Sequence, residues 1–277
     1  MSFLGLENKK IIVFGVRNKK SIAYHTATLL QQEGAECLFI VRDEDIKAKV
    51  AALFPGKEIF TCDVKEQKSI EDLYTNISSR YQKIDGMLHS IAFANIPDNY
   101  VSFHEMNKTD FLEAIDISCF SLTNLANTFK GIFAHDASVV TLSVPFTRIA
   151  VECYGYMAPV KAALESSVVY LAKSFSNFSN VRFNVVASGF LKTTSAAGIP
   201  GFVSNYIYSE KTNFRKKALD ASEIADVIVY LLSKRSAVIN GQIIVSDAGT
   251  MLNPYDKEIL DALIKNKNQS GVSGVNG

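Results

Sequence analysis

The sequence predicts one α/β domain built on a doubly wound parallel sheet with helices on both faces. Short β-branched apolar runs alternate with amphipathic stretches of roughly 10 to 30 residues, and no linker or internal repeat divides the chain. Strands that alternate with helices in this way are joined by crossovers, which make neighbouring strands parallel. With 277 residues, of which 48% are hydrophobic, the chain can bury the core that such a sheet needs.

Strands and helices follow one another in a regular order. The predicted strands occupy residues 9–14, 37–41, 58–61, 84–93, 138–143, 181–187 and 242–245. The predicted helices occupy residues 21–33, 42–54, 104–134, 154–178 and 222–233. We expect residues 1–265 to form the domain, with a mobile substrate loop at 193–220. Residues 266–277, rich in Asn, Ser and Gly, are expected to be disordered.

Charge and hydropathy exclude several classes of protein. The 29 basic and 28 acidic side chains leave a formal charge of +1, which gives no footprint for nucleic acid or anionic lipid. No apolar run reaches the roughly 20 residues of a membrane span, so we expect a cytoplasmic protein that binds neither nucleic acid nor membrane. The cysteines lack the spacing of a disulfide framework or metal site and are interpreted as buried hydrophobic side chains: Cys37, Cys62, Cys119 and Cys153.

The turn after the first strand is a candidate phosphate-binding loop. It begins at Gly15 and reaches Ser21 and Ile22 at the start of the first helix, whose N-terminal amides can bind phosphate. Arg42 follows the second strand, where a ribose-reading residue is expected, and its charge favours a 2′-phosphate. Asp43 beside it argues against one, and a solvated charged edge is the alternative interpretation. The sequence therefore indicates NADH or NADPH without choosing between them.

The next two strands also end in candidate cofactor contacts. Asp63 and Val64 follow the third strand, where a carboxylate can accept from the adenine amino group. The residues that end the fourth strand are expected beneath the cofactor: Ser90, Ile91 and Ala92. These residues gain weight because they fall, in order, at the carboxyl ends of consecutive predicted strands.

Tyr154 and Lys161 form a candidate catalytic pair. Six residues separate them, so on one helix they lie about two turns apart on the same face. A lysine there can hold the nicotinamide ribose hydroxyls, and its charge favours a phenol that donates to a developing oxyanion. The alternative interpretation is a helix with one aromatic core residue and one surface lysine.

Several motifs together match a known family. They are Gly15-x5-Ser21-Ile22-Ala23, His89-Ser90-Ile91-Ala92-Phe93-Ala94, Asp116-Ile117-Ser118, Thr141-Leu142-Ser143, Tyr154-x6-Lys161-Ala-x-Leu-Glu165, Ser188-Gly189-x3-Thr193 and Asp247-x-Gly249. From about residue 2 to 252, the sequence resembles the bacterial enoyl-acyl-carrier-protein reductases of the short-chain dehydrogenase/reductase superfamily. The long loop before Ser21 is similar to the corresponding loop of the enoyl-acyl-carrier-protein reductases and differs from the GxxxGxG loop of other superfamily members.

The resemblance implies a Rossmann-like homotetramer that passes a hydride from NADH or NADPH to the β-carbon of a trans-2-enoyl thioester. The thioester would be carried by acyl carrier protein, in fatty acid biosynthesis or a related pathway. Tyr154 would donate to the thioester carbonyl, and Lys161 would hold the ribose. Leu191 and Thr193 would contact the nicotinamide amide and the phosphates. The implied substrate-binding residues, the last three on a loop over the acyl chain, are Phe93, Val144, Met157, Ala196, Ile199 and Phe202.

Four positions depart from the family pattern. Val144 stands where a second tyrosine is usual, and Phe190 replaces the proline after Gly189. His25 replaces a glycine in the first helix, and Gly155 replaces the asparagine after Tyr154. These departures indicate a diverged paralogue as readily as a housekeeping enzyme.

Two other functions remain open at this point. Ser143 lies eleven residues before Tyr154, near where carbonyl reductases place a substrate-orienting serine, so a carbonyl or alcohol oxidoreductase is the first alternative. A non-catalytic nicotinamide-nucleotide-binding protein is the second, because Val144 and His25 replace expected residues. The isolated His89 is interpreted as a structural residue.

Overall fold

A seven-stranded parallel sheet lies at the centre of the computed structural model, which describes residues 3–97, 102–152, 154–194 and 196–269. The strands lie in the order β3-β2-β1-β4-β5-β6-β7. Their bounds are β1 Lys10–Phe14, β2 Glu36–Val41, β3 Ile59–Thr61, β4 Ile84–His89, β5 Phe133–Ser143, β6 Arg182–Ser188 and β7 Ile243–Ser246. This arrangement confirms the predicted fold class.

The chain reverses direction across the sheet between β1 and β4. The first three strands build outward from β1 on one side, and the chain then returns to place β4 against its other edge. Phe14 pairs with His89, so β1 and β4 end side by side. Ligands of doubly wound sheets bind at such a switch point, outside the carboxyl ends of the strands.

Helices connect the strands. Their bounds are α1 Ile22–Gln32, α2 Glu44–Leu53, α3 Gln67–Ser78, α4 Lys108–Ile115, α5 Ser121–Phe129, α6 Ala158–Phe175, α7 Phe202–Thr212, α8 Ala221–Leu232 and α9 Lys257–Gln269. A π-helical turn at Asp116–Phe120 joins α4 to α5. Asp220 and Glu223 form a capping box at the start of α8, which satisfies amides that the first helical turn leaves unpaired. Within the described residues, no helix combines the length and apolar character needed to cross a membrane.

The core consists of two apolar layers, one on each face of the sheet. In β1, Ile12 faces the layer formed with α3, α5 and α6, whereas Ile11 and Val13 face the layer formed with α1 and α8. Successive strand residues point to opposite faces, so a strand buried on both faces is apolar throughout. The unbroken apolar runs of the sequence arise because these strands are buried on both faces.

Several sequence expectations need correction. The predicted strand at 84–93 ends at His89, and the segment 193–220, predicted as a loop, contains α7 at Phe202–Thr212. The predicted helix at 104–134 is divided by the π-helical turn and ends before β5 begins at Phe133. The predicted helix at 154–178 begins only at Ala158, because Pro159 fits the first helical turn, where its missing N–H costs no hydrogen bond. Helix α9 reaches Gln269, so the expected disorder is wrong for residues 266–269, and residues 270–277 lie outside the described residues.

Candidate active site

Gly15 and Ser90 meet at the switch point of the sheet. Gly15 follows β1 with a left-handed φ of +93°, which a residue with a side chain rarely adopts. A Cβ atom on Gly15 would lie 2.0 Å from the carbonyl oxygen of Ser90. Only glycine permits this close backbone approach, so the structure brings together two predicted cofactor residues from different strands.

The loop from Gly15 to Ser21 leads into α1 and contacts the segment after β6. The Ser21 hydroxyl donates to the Asn18 carbonyl over 2.7 Å. Ser21 is the N-cap residue of α1, but its side chain accepts no hydrogen bond from the first amides of the helix, which stay available to a ligand. Ile22 is the first residue of α1 and packs against the core. Asn18 Nδ2 donates to Thr194 Oγ1 over 2.7 Å, which links this loop to the predicted substrate loop.

Arg42 and Asp43 form an ion pair at the end of β2. Arg42 Nε donates to Asp43 Oδ2 over 2.9 Å, and the other carboxylate oxygen accepts from the amide of Ile46 in α2. The Ile46 hydrogen bond and the Arg42 guanidinium lower the pKa of Asp43 below its ordinary value. Asp43 therefore has a structural role as the N-cap of α2, besides its charge at the predicted ribose position.

Asp63 lies in a tight turn after β3. Its Oδ1 accepts from the amide of Lys65 over 3.0 Å, and its own amide donates to Ser69 Oγ over the same distance. Val64 packs against the core beneath this turn. The side chain of Asp63 is thus oriented by the turn at the carboxyl end of its strand.

Lys161 is buried in α6 and points to the end of β4. Its Nζ donates to the carbonyl of Ile91 over 3.4 Å, which is its one hydrogen bond among the described residues. Burial lowers the pKa of Lys161 to about 8, and the Cys119 thiol, when ionised, and the Glu165 carboxylate act in the opposite direction. An ammonium group has three donors, so this buried cation retains donors for a further polar partner, and a ribose diol fits that requirement.

Tyr154 lies in a turn before α6, so the prediction that it shares a helical face with Lys161 is wrong. Its carbonyl accepts from the amide of Ala158 at the start of the helix. Its ring lies edge-on to Phe146, with the centroids 4.8 Å apart, and 6.3 Å from Phe190. Burial raises the pKa of Tyr154 to about 12. At neutral pH this phenol is protonated and can donate a hydrogen bond.

Aromatic side chains from three segments surround Tyr154 and form what we call the aromatic cluster. Its buried members are Phe146, Phe190, Phe202 and Tyr206, against which Val144, Val151, Tyr154, Ala196, Ile199, Ala218 and Met251 pack. Phe146 and Phe190 are stacked, with centroids 5.0 Å apart. The structure therefore places four predicted substrate residues in the same cluster as Tyr154, namely Val144, Ala196, Ile199 and Phe202.

The other predicted contacts lie around this cluster. The amide of Phe93 donates to Ser118 Oγ, which in turn donates to the Phe93 carbonyl, and this fixes the segment after β4 that also contains Ala92. Leu191 is buried in the core, and Thr193 Oγ1 accepts from the amide of Ala196. Met157 is buried directly before α6.

A cavity of about 460 Å³ opens beside Tyr154. Most of the side chains around it are apolar, and its lining includes Ile96, Phe103, Met106, Ile149, Val151, Tyr156, Pro159 and Pro200. None of the predicted substrate residues lines this cavity. A Cβ atom on Gly155 would lie 2.8 Å from the ring of Phe103, so the absence of a side chain at Gly155 lets that ring close one wall. Apolar residues between the predicted strand at 84–93 and the predicted helix at 104–134, such as Ile96 and Phe103, were the available sequence signal.

Several buried polar groups are structural. His89 shares hydrogen bonds of 2.9 Å with Thr141 Oγ1 and Ser121 Oγ, which confirms its interpretation as a structural residue. Burial and the charge of Lys161 lower the pKa of His89 to about 3, so it is neutral at physiological pH. The described cysteines are free and buried, as predicted: Cys37, Cys62 and Cys119. Cys153 lies outside the described residues.

The family model described as Enoyl-(Acyl carrier protein) reductase matches residues 15–251. The chain belongs to this family. An enoyl-[acyl-carrier-protein] reductase (NADPH), FabI, of Staphylococcus aureus is 34% identical over 89% of this chain and 98% of the relative. The NADH-named FabI of Buchnera aphidicola (strain Bp) is 33% identical over 88% of this chain and 95% of its own length. The crystal structure of FabI from Candidatus Liberibacter asiaticus superposes with a TM-score of 0.87 at 27% identity, covering 91% and 98% of the two chains.

The departures from the enoyl-acyl-carrier-protein reductase pattern gather around Tyr154. Val144 and Phe190 belong to the aromatic cluster, and Gly155 lines the cavity next to Phe103. His25 is the exception, since it lies in α1. Three of these four departures thus lie in the aromatic cluster or at the cavity beside Tyr154.

Proposed function

We propose that this protein reduces the trans-2 double bond of an enoyl thioester carried by acyl carrier protein, with NADH or NADPH, in fatty acid biosynthesis. One observation carries the proposal most strongly: the protonated phenol of Tyr154 lies at an apolar cavity, at the same edge of the sheet as the buried ammonium of Lys161. An apolar cavity suits an acyl chain, and the phenol suits the carbonyl oxygen of its thioester.

The residues at the carboxyl ends of the strands fit a nicotinamide cofactor, which supplies the hydride for the β-carbon. The free donors of Lys161 are suited to the ribose hydroxyls. The glycine turn at Gly15 and the N-terminus of α1 are suited to the pyrophosphate. Asp63, oriented by its turn, is suited to the adenine amino group.

Tyr154 donates a hydrogen bond to the thioester oxygen as negative charge develops there. A donor oriented before the reaction stabilises this charge most effectively where water is excluded. The rings of Phe146 and Phe190 pack against Tyr154 and hold its phenol in apolar surroundings.

The position of Ser143 disfavours the carbonyl-reductase alternative. Its hydroxyl donates to Glu165 Oε1 over 2.6 Å and is thus engaged within the protein, not free to orient a ketone. The decisive experiment follows NADPH and then NADH oxidation with a trans-2-enoyl thioester and, in parallel, with a panel of ketones. Turnover of the thioester alone supports the proposal. Turnover of ketones alone, or cofactor binding without turnover, would select one of the two alternatives.

Cofactor preference is expected to depend on Arg42 and Asp43. Arg42→Ala should weaken NADPH binding about tenfold or more and NADH binding little, because it removes a charge-assisted hydrogen bond to the 2′-phosphate. Asp43→Asn should improve NADPH binding severalfold, since asparagine still caps α2 but lacks the repelling charge. Dissociation constants from nicotinamide fluorescence measure both effects. Equal effects on the two cofactors would exclude these residues from the ribose site.

We further propose a homotetramer. Exposed apolar side chains lie on the π-helical turn and on α6, where Phe120, Val169 and Tyr170 are 53%, 49% and 75% exposed. Others lie on the edge strand β7, where Ile243 and Val245 point outward. Sedimentation equilibrium should give four chains, and Tyr170→Glu should yield smaller species because it places a charge on such a patch. A monomer for the unaltered chain would refute this assembly.

The cytoplasmic location of the protein stays a prediction from its sequence.

A further inference from the structure

One carboxylate holds two hydroxyls from the segment that follows β5. Ser143 Oγ donates to Glu165 Oε1 over 2.6 Å, and Thr147 Oγ1 donates to Glu165 Oε2 over 3.0 Å. We call this arrangement the carboxylate bridge. Ser143 ends β5, Thr147 lies in the turn after it, and Glu165 lies in α6 one helical turn after Lys161. The bridge therefore fastens the segment after β5 to the helix that carries the buried ammonium.

The bridged segment presents an aromatic ring to Tyr154. Phe146 lies between the two bridged hydroxyl residues, and its fully buried ring meets the ring of Tyr154 edge-on. The same ring is stacked on Phe190. Because both ends of this short turn are held by one carboxylate, the position of Phe146, and through it that of Tyr154, depends on Glu165.

The carboxylate also acts electrostatically on Lys161. The titratable groups that act on this ammonium are His89 from β4, Cys119 from the π-helical turn and Glu165 from α6. His89 is neutral, and burial raises the pKa of the Cys119 thiol. Of these three groups, Glu165 therefore brings the compensating negative charge to a lysine whose burial favours the neutral amine.

We propose that Glu165 is a positioning residue of the reductase site, which holds Tyr154 through the bridged segment and sustains the charged form of Lys161. This inference rests on the proposed function in one respect, the roles given to Tyr154 and Lys161. It also accounts for Ser143, whose hydroxyl serves the geometry of the segment and does not contact substrate.

Two variants separate the two parts of this role. Glu165→Gln keeps the size of the side chain and one carbonyl acceptor but removes the charge. Ser143→Ala combined with Thr147→Val removes both hydrogen bonds and keeps the charge. Glu71→Gln, in an exposed position of α3, is the matched control for loss of a helical glutamate.

Steady-state kinetics as a function of pH test the electrostatic part. Glu165→Gln should lower kcat by roughly tenfold to a hundredfold, with the larger change in kcat than in KM. It should also move the alkaline limb of the kcat profile to lower pH, because Lys161 loses its proton more easily without the neighbouring carboxylate. The double variant should lower kcat without moving that limb, and Glu71→Gln should change neither. An unmoved limb in Glu165→Gln would overturn the electrostatic part.

Hydrogen–deuterium exchange of the cofactor-free protein tests the geometric part without relying on turnover. Peptides that span residues 144–157 should exchange faster in Glu165→Gln and in the double variant, while peptides from β1 and β2 should exchange as in the unaltered chain. Unchanged exchange at 144–157 in both variants would overturn the positioning role. Failure of the unaltered chain to reduce any enoyl thioester would refute the proposed function instead, and the exchange result would still decide the role of the bridge. If Glu165→Gln does not fold, Ser143→Ala alone repeats the exchange test.

Discussion

Tyr154→Phe should lower kcat for enoyl thioester reduction by roughly 100- to 1000-fold, the usual cost of losing one oriented donor to a developing oxyanion. The affinity for NADH or NADPH should stay nearly constant, because the phenol serves the substrate oxygen. The aromatic ring and its contacts with Phe146 and Phe190 survive the substitution, so the fold should be unaffected. Nicotinamide oxidation measures kcat, and fluorescence titration measures cofactor affinity.

The control for this experiment is Tyr255→Phe, which removes a phenol that is 81% exposed and should leave both quantities unchanged. Turnover of Tyr154→Phe within severalfold of the unaltered chain would remove Tyr154 from the mechanism.

The dependence of activity on pH gives a second check. Since the pKa of Tyr154 is raised to about 12 and that of Lys161 is lowered to about 8, activity should first fall with rising pH as Lys161 loses its proton.

Gly15→Ala is expected to have the largest effect on stability. The new Cβ atom would lie 2.0 Å from the Ser90 carbonyl oxygen, in a backbone conformation with a φ of +93° that alanine disfavours. Strain and overpacking together should lower the free energy of unfolding by about 3 kcal/mol or more. For a chain of this size that corresponds to a fall in Tm of roughly 6 °C or more, and cofactor affinity should fall with it.

Gly56→Ala is the matched control, because Gly56 also has a positive φ, of +72°, but no atom lies within 4 Å of its added Cβ. Its cost should be limited to backbone strain, about 1 kcal/mol. Calorimetry of the two variants separates the close approach from the conformational preference. Equal losses of Tm would show that the contact with Ser90 contributes nothing.

Much of the sheet could be predicted from local pattern alone. A strand buried on both faces is apolar at every position, so runs such as 37–41 are visible without any tertiary information. The order of the strand ends then places Gly15, Asp63 and Ser90 on one edge. Helix α3 was not predicted, although its buried residues Ile70, Leu73 and Ile77 have the spacing of one helical face.

The surroundings of Tyr154 could not be predicted in the same way. Phe146, Phe190 and Phe202 are far apart in the sequence and meet only when β5, β6 and α7 are in place. The position of Tyr154 itself depends on where α6 begins, which Pro159 decides. A role for Glu165 was equally hidden, since nothing in the sequence pairs it with Ser143.

The strand order has a consequence for synthesis of the chain on the ribosome. β1 lies between β2 and β4, and Ile11 pairs with Gly86, so one edge of this central strand has no native partner until residue 86 has been made. At typical rates of about 5 to 20 residues per second, the interval lasts roughly 4 to 15 s. During that time an apolar strand with an open edge is available to other nascent chains. The yield of folded protein should therefore depend on translation speed between β1 and β4 as well as on final stability.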